Sequence, residues 1–465
     1  MTDRNEPWRH TATELAAMIR SGETTSRTVV EAHLERIAAV NPRVNAITRV
    51  LGESALAAAD AADASEPRGP LHGVPFTIKE NIDLAGTPTT QGVPALAEMT
   101  AEVDAPVVER MKAAGAIPLA RTNLPEFGMR ISTVNPLHGR TFNPWDRTRV
   151  AGGSSGGEGS ALATGMTPIG LGNDIGGSLR NPAYCNGIAS LKPTTGRIPH
   201  YMSQEPQDGG MAVQAMLAEG PLARSVADLR LALSILAGRD LRDPVSVDAP
   251  LTGPASPRRA TLVTELPGGD LDPAAIAAVR AAGSALEAAG WSIEEGQPPE
   301  PERVHELWGY TLAQDFVVMG EFMRPVVTPE LSGLLDALVA DFPPDAIPTM
   351  LLHAERSRLT RLWSQYFVDH PVVIGPTWTR LPFEHDADVV PGAGLAMMRD
   401  TLRFITPGNL LGIPAACIPC GVDGGLPRGV QIYADLWRED LCLEAAEIVE
   451  AAMGPLCPID PVWND

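Results

Sequence analysis

The sequence predicts an α/β fold with a mixed β-sheet, on three observations. Short apolar runs bounded by glycine alternate with helix-period segments, as in a sheet covered by helices. The stretches Ala260 to Val263, Pro273 to Gly290 and Trp291 to Glu294 have the lengths of a strand, a helix and a second strand in a βαβ unit. The 465 residues are 44% hydrophobic and 20% charged, enough for a sizeable core.

In chain order, Thr11-Ala12-Thr13-Glu14 reads as a capping box opening a helix that stops near Gly22. A second helix is expected with Val30, Leu34, Ile37 and Ala38 on one face, and an alanine-rich third from Glu53 to Ala64. Val74 to Ile78 is short, apolar and preceded by Gly73: a buried strand with Lys79 at its end. A helix from Ala105 to Ala114 then feeds a strand from Ile117 to Ala120. Asn135 to Gly159 is dense in Gly, Pro, Ser and Asn and reads as a long ordered loop, with a helix starting inside its glycines. Ile169 to Gly172 is a strand leading into a tight loop, Asp174 to Ser178, and Ser225 to Leu236 is a helix. Gly238 to Pro257, rich in Asp and Pro, separates this core from the βαβ unit and a mostly helical stretch, 303–370. Trp308, Tyr310, Phe316, Phe322, Leu334 and Leu338 mark the apolar side of that stretch. Strands return at Val372 to Ile374, Ala415 to Ile418 and Gly429 to Ile432, before a last helix from Asp440 to Met453.

Composition excludes several classes. A net charge of −21 and the lack of any basic run argue against a nucleic-acid partner, whose phosphates need clustered Lys and Arg. Five cysteines, an odd number in a long chain, do not form a disulfide framework; Cys417-Ile418-Pro419-Cys420 has no second pair at metal spacing and reads as strand packing. The nine histidines include no HExxH pattern, so no metal site is expected. Met1 to Pro7 lack the basic start and apolar core of a signal peptide, and no apolar run reaches the ~20 residues that span a bilayer. The expectation is a cytoplasmic protein without membrane attachment.

The chemistry concentrates in Gly152-Gly153-Ser154-Ser155-Gly156-Gly157 and in Asp174-Ile175-Gly176-Gly177-Ser178-Leu179-Arg180. A serine hydroxyl needs a base, and no histidine lies between these serines. Lysine qualifies when burial lowers its pKa from about 10.4, and Val74, Phe76 and Ile78 offer that burial to Lys79. A second serine can relay the proton between them. Successive amides in Ile175, Gly176, Gly177 and Ser178 can converge on an oxyanion, at about 3 kcal/mol per donor. A phosphate-cradling loop is the competing reading, but Gly152 to Ser160 lacks the Gly-x-x-x-x-Gly-Lys-Ser/Thr pattern. Asp315, Glu321, Arg380 and Glu384 are either pocket groups or solvated charges, and the Trp308 to Phe342 stripe is either core or a cap over an acyl or aryl group.

Together these segments resemble the amidase signature family of serine hydrolases. The resemblance runs through Gly73 to Asn81, Arg121 to Phe127, Thr141 to Trp145, the two glycine-serine motifs, Gly187 to Thr194, Asn409 to Ala415 and Gly425 to Gln431. It implies a mixed sheet of about eleven strands with helices on both faces. It also implies one catalytic domain over residues 1–465, with a signature core about 70–200 and a variable helical lobe about 240–370. Carried over position by position, it makes Ser178 the nucleophile, Ser154 a relay preceded by a cis peptide, and Lys79 the base. Ile175, Gly176, Gly177 and Ser178 form the oxyanion hole, and Ser155, Asp174 and Arg180 support the loop. The implied reaction is hydrolysis of small or aryl amides through an acyl-enzyme, extending to esters and carbamates, with water as co-substrate and neither metal nor organic cofactor. A homodimer is the assembly that family habit suggests. The alternative is the A subunit of a glutamine-dependent aminoacyl-tRNA amidotransferase. Asn173 for the usual Thr or Ser, Ile175 for the Thr of that branch, and Leu179 for Ile lean against it.

Overall fold

The computed structural model describes residues 6–204 and 209–463, so the reading of the first five residues lies outside it. Eleven strands form one sheet: β1 (Ile47–Val50), β2 (Pro75–Lys79), β3 (Ile117–Thr122), β4 (Ile169–Asp174), β5 (Ala189–Lys192), β6 (Ala218–Ala223), β7 (Arg259–Leu262), β8 (Ser292–Glu295), β9 (Val372–Pro376), β10 (Ala415–Asp423) and β11 (Leu426–Tyr433). Their spatial order is β1-β3-β2-β4-β6-β5-β10-β11-β9-β7-β8. The sheet is mixed. β2 runs parallel to both β3 and β4, the run from β4 to β9 is antiparallel, and β7 is parallel to β8 and β9.

Both faces are covered. The two-residue period of a strand sends Val372 and Ile374 into one core and Val373 into the other. The first core is closed by the helices Ala12–Ser21, Val226–Leu236, Pro273–Ala288 and Glu439–Met453, and the second by Pro301–Met323, Pro329–Asp341 and Thr349–Asp369.

Most local readings match the chain. Thr11 and Glu14 form the capping box, and Gly22 ends that helix in the left-handed conformation. In the next helix, Ser26–Val44, the buried face carries Val30, Ile37 and Val40, while Ala38 faces solvent. On the helix Pro301–Met323, Phe322 likewise points outward and is exposed. The βαβ unit does not stand beside the core: its strands β7 and β8 extend the same sheet at one edge.

Three strands escaped the periodicity argument, each for a local reason. β1 is a four-residue edge strand with two exposed residues. β5 ends in a buried lysine, Lys192. β6 contains Gly220 and Pro221, residues that ordinarily argue against a central strand. No helix among the described residues is long and apolar enough to cross a membrane. The described cysteines are all free, and Cys417 and Cys420 are buried.

Candidate active site

Lys79 ends β2, the strand held between β3 and β4, so its side chain leaves the sheet from a fully buried position. The glycine-rich loop crosses this end of the sheet before entering the helix Gly156–Ala163. The Gly153–Ser154 peptide is cis, as the resemblance implied. Asn181 Nδ2 donates to the Gly153 carbonyl at 3.0 Å. Lys79 Nζ lies 2.7 Å from Ser154 Oγ and donates to Asn173 Oδ1 at 2.8 Å. Burial pushes the Lys79 amine down to about 7, against the opposing pull of Glu219, Asp174 and Glu158. Near neutral pH a large share of it is therefore uncharged and able to accept a proton.

Glu158 lies beneath this group, its carboxyl pushed up to about 8 by burial. The hydroxyls of Thr77 and Thr122 lie 2.6 and 2.8 Å from its two oxygens. A carboxyl kept neutral here avoids clamping Lys79 in its charged form. Ser155 starts the same helix, buried, and its Oγ has no hydrogen-bond partner among the described residues.

The second motif turns sharply where β4 ends. Asp174 accepts from Arg180 Nε and Nη2, both at 3.0 Å, and from the Gly177 and Leu179 amides at 2.7 and 3.1 Å. Burial alone would raise the Asp174 pKa, but the Arg180 charge and these hydrogen bonds hold it well below the usual carboxylate range. Arg180 is itself fixed by the Ile405 carbonyl, Gln431, Tyr433 and Asn409. This buried pair sets the shape of the loop that presents Ser178.

One expectation changes here. The Gly177 amide is spent on Asp174, whereas the amides of Ile175, Gly176 and Ser178 have no partner among the described residues. Gly177 has a φ of +99°, and a Cβ there would lie 2.4 Å from Asn181 Oδ1. Its glycine therefore serves the turn.

Ser178 opens into a cavity whose walls are largely apolar. Trp308, Leu312 and Phe316, spaced four apart, form one wall; Leu334, Leu338 and Phe342 form the next; Met129 and Ile131 close a third side. Trp308 Nε1 donates to the Ile175 carbonyl at 2.9 Å, tying that wall to the loop. Part of the stripe thus lines the pocket as well as the core, while Tyr310 and Phe322 do not reach the cavity. Two arginines also reach the cavity, but Arg130 is held by Asp388 and Asp386, and Arg399 by Asp341. None of Asp315, Glu321, Arg380 and Glu384 lines it: Asp315 accepts from the Ala212 amide at 2.8 Å, and Arg380 pairs with Asp400.

Asn173 and Glu158 are the site residues that sequence reasoning passed over. Asn173 carried a signal, as a departure immediately before the Asp174 motif. Glu158 carried none, because only the register of β2, β3 and the helix brings it beneath Lys79.

A sheet of this topology with a lysine, paired serines and an apolar cleft at its strand ends defines a hydrolytic α/β enzyme. Comparison with known proteins specifies it further. The family model described as Amidase matches residues 28–443. An indoleacetamide hydrolase of Bradyrhizobium diazoefficiens is 43% identical over 458 residues, covering 97% of this chain and 87% of that protein. The A subunit of a glutamyl-tRNA(Gln) amidotransferase from Salinispora arenicola is 33% identical over 491 residues, covering 96% and 98%. The solved structure of 6-aminohexanoate cyclic dimer hydrolase superposes with a TM-score of 0.83 at 31% identity, covering 99% of each chain. The chain belongs to the amidase family. It is an amidase, a hydrolase of carboxylic amide bonds.

Proposed function

We propose that this enzyme hydrolyses small primary amides of aryl-substituted acids, indoleacetamide and its analogues being the substrates to try first. The observation that carries the reading is the contact of Lys79 Nζ with Ser154 Oγ, at 2.7 Å, beside an apolar cavity that Ser178 lines. Ser178 Oγ attacks the amide carbonyl while Ser154 passes its proton to neutral Lys79. The developing oxyanion is received by the amides of Ile175, Gly176 and Ser178. The relay then runs backward: Lys79 returns the proton through Ser154 to the departing nitrogen, and ammonia leaves. Water, activated by the same pair, cleaves the acyl-enzyme and releases the acid.

The aryl preference rests on the walls. Trp308, Phe316 and Phe342 offer flat apolar surface, and both nearby arginines are neutralised by their own carboxylates. A glutaminase needs free charged partners for the substrate's α-amino and α-carboxylate groups, which disfavours the amidotransferase reading. Free thiols throughout the described chain support a cytoplasmic setting.

The test is a panel of indoleacetamide, phenylacetamide, acetamide, glutamine, an anilide, an ester and a carbamate with the purified enzyme. The aryl acetamides are expected to lead in kcat/KM; glutamine ranking first would overturn the substrate class. Ser178→Ala is expected to abolish covalent labelling by a fluorophosphonate, and labelling that persists would move the nucleophile elsewhere.

A further inference from the structure

We infer that Glu219, acting through Asn173, is a positioning residue for Lys79, and that His200 couples this arrangement to the protein surface. This rests on the reading of Lys79 as the base. Asn173 on β4 and Glu219 on β6 are direct partners across the antiparallel pair, so their side chains share one face of the sheet. Asn173 Nδ2 donates to Glu219 Oε1 at 3.5 Å, and its Oδ1 accepts from Lys79 at 2.8 Å. His200 Nδ1 lies 2.7 Å from the same Glu219 oxygen. A continuous polar chain thus links Ser154, Lys79, Asn173, Glu219 and His200, and its last side chain is 23% exposed.

The orienting element in that chain is the carboxylate. A primary amide can face a lysine with either end, and only its oxygen can accept from the amine. Asn81 does not decide the matter, because it exchanges hydrogen bonds with both ends of Asn173, at 3.3 and 3.2 Å. An ionised carboxylate only accepts, so Glu219 draws the NH2 end of Asn173 toward itself and turns Oδ1 to Lys79. With one amine N–H committed to that oxygen, the lone pair of neutral Lys79 is left for the Ser154 proton. Glu219 Oε2 is buried with no partner among the described residues. A carboxylate kept so poorly solvated projects its charge onto the amine more strongly than an exposed one would.

The charges facing Lys79 are Glu219, Asp174 and Glu158, and each favours its protonated form. Asp174 is cancelled by Arg180, and Glu158 is largely neutral near pH 7. Among the described residues His200 is the counterpart left to Glu219, so their contact decides how much of the carboxylate's pull reaches the amine.

The experiment is the pH dependence of acylation with a fluorophosphonate and of indoleacetamide turnover in wild type, Glu219→Gln and His200→Gln. Removing the carboxylate charge is expected to move the ascending limb to lower pH by about one pH unit. Removing the imidazole leaves the Glu219 carboxylate less compensated and is expected to move it the other way. A role confined to fastening the segment around His200 would leave both limbs in place while lowering stability. Coincident limbs in all three enzymes overturn the inference. Lys79→Ala, run in parallel, separates the two levels. Wild-type acylation in that variant removes lysine as the base, whereas lost acylation with unmoved limbs in the other two removes only the role of Glu219 and His200.

Discussion

At the scale of single residues, the proposed chemistry depends on stripping one amine of its water. Lys79 is wholly buried, and the cost of burying a charge brings its pKa from 10.5 to about 7. The sign of the pH dependence follows. With the neutral amine as the proposed base, turnover is expected to rise as pH increases through about 7 and to level off above it. One pH unit below that midpoint, kcat/KM is expected to sit about tenfold under the plateau. A rate flat from pH 5 to 9 would contradict a lysine base. Lys79→Ala is expected to reduce acylation by at least about a thousandfold at neutral pH with the circular dichroism spectrum unchanged. Asp174 works differently, by geometry. Asp174→Asn leaves the Arg180 guanidinium buried without its counter-charge, and a loss of about 3 kcal/mol in urea-induced unfolding is expected. A midpoint within error of wild type would show that Asn409, Gln431 and Tyr433 suffice to hold the arginine.

At the scale of elements, the catalytic loop and the pocket wall are one piece. Trp308 bonds the Ile175 carbonyl, and a Cβ on Gly176 would lie 2.8 Å from the Trp308 ring. The helix Pro301–Met323 therefore helps hold the amides beside Ser178 while presenting Leu312 and Phe316 to the cavity. Phe342→Ala is expected to lower kcat/KM for phenylacetamide by about 10- to 100-fold and to leave acetamide nearly unaffected, since only the larger substrate reaches that wall. Equal losses on both substrates would mean that the ring shapes the loop rather than the specificity. Gly177→Ala is expected to abolish fluorophosphonate labelling of Ser178, because φ of +99° and the nearby Asn181 leave no room for a side chain in the turn.

At the scale of the whole molecule, the sheet brings the proposed catalytic groups to one end. β2 delivers Lys79, β4 delivers Asp174 and the loop to Ser178, and the helix Gly156–Ala163 packs against both strands with Glu158 between them. All of these parts come from this one chain. The purified protein is therefore expected to turn over aryl amides with no other protein added, measured as ammonia release. Idleness that is relieved only by partner proteins would restore the amidotransferase alternative.

The motifs themselves were legible in the linear sequence, because their chemistry is local. Glycines that permit a tight turn, paired serines without a histidine, and a lysine closing an apolar run each declare themselves within a few residues. The eight strands found by periodicity are likewise local objects, whereas β5 and β6 exist because their neighbours supply the ladder that Lys192, Gly220 and Pro221 would not call for. The tertiary structure alone decided which residues meet. It assigned the Gly177 amide to Asp174, placed Glu158 under Lys79, set Asn173 opposite Glu219 and turned the Trp308 stripe toward Ser178. The reason is physical: a turn or a cap is settled by neighbours along the chain, but desolvation and hydrogen-bond partnership depend on strand register and packing, which no short window contains.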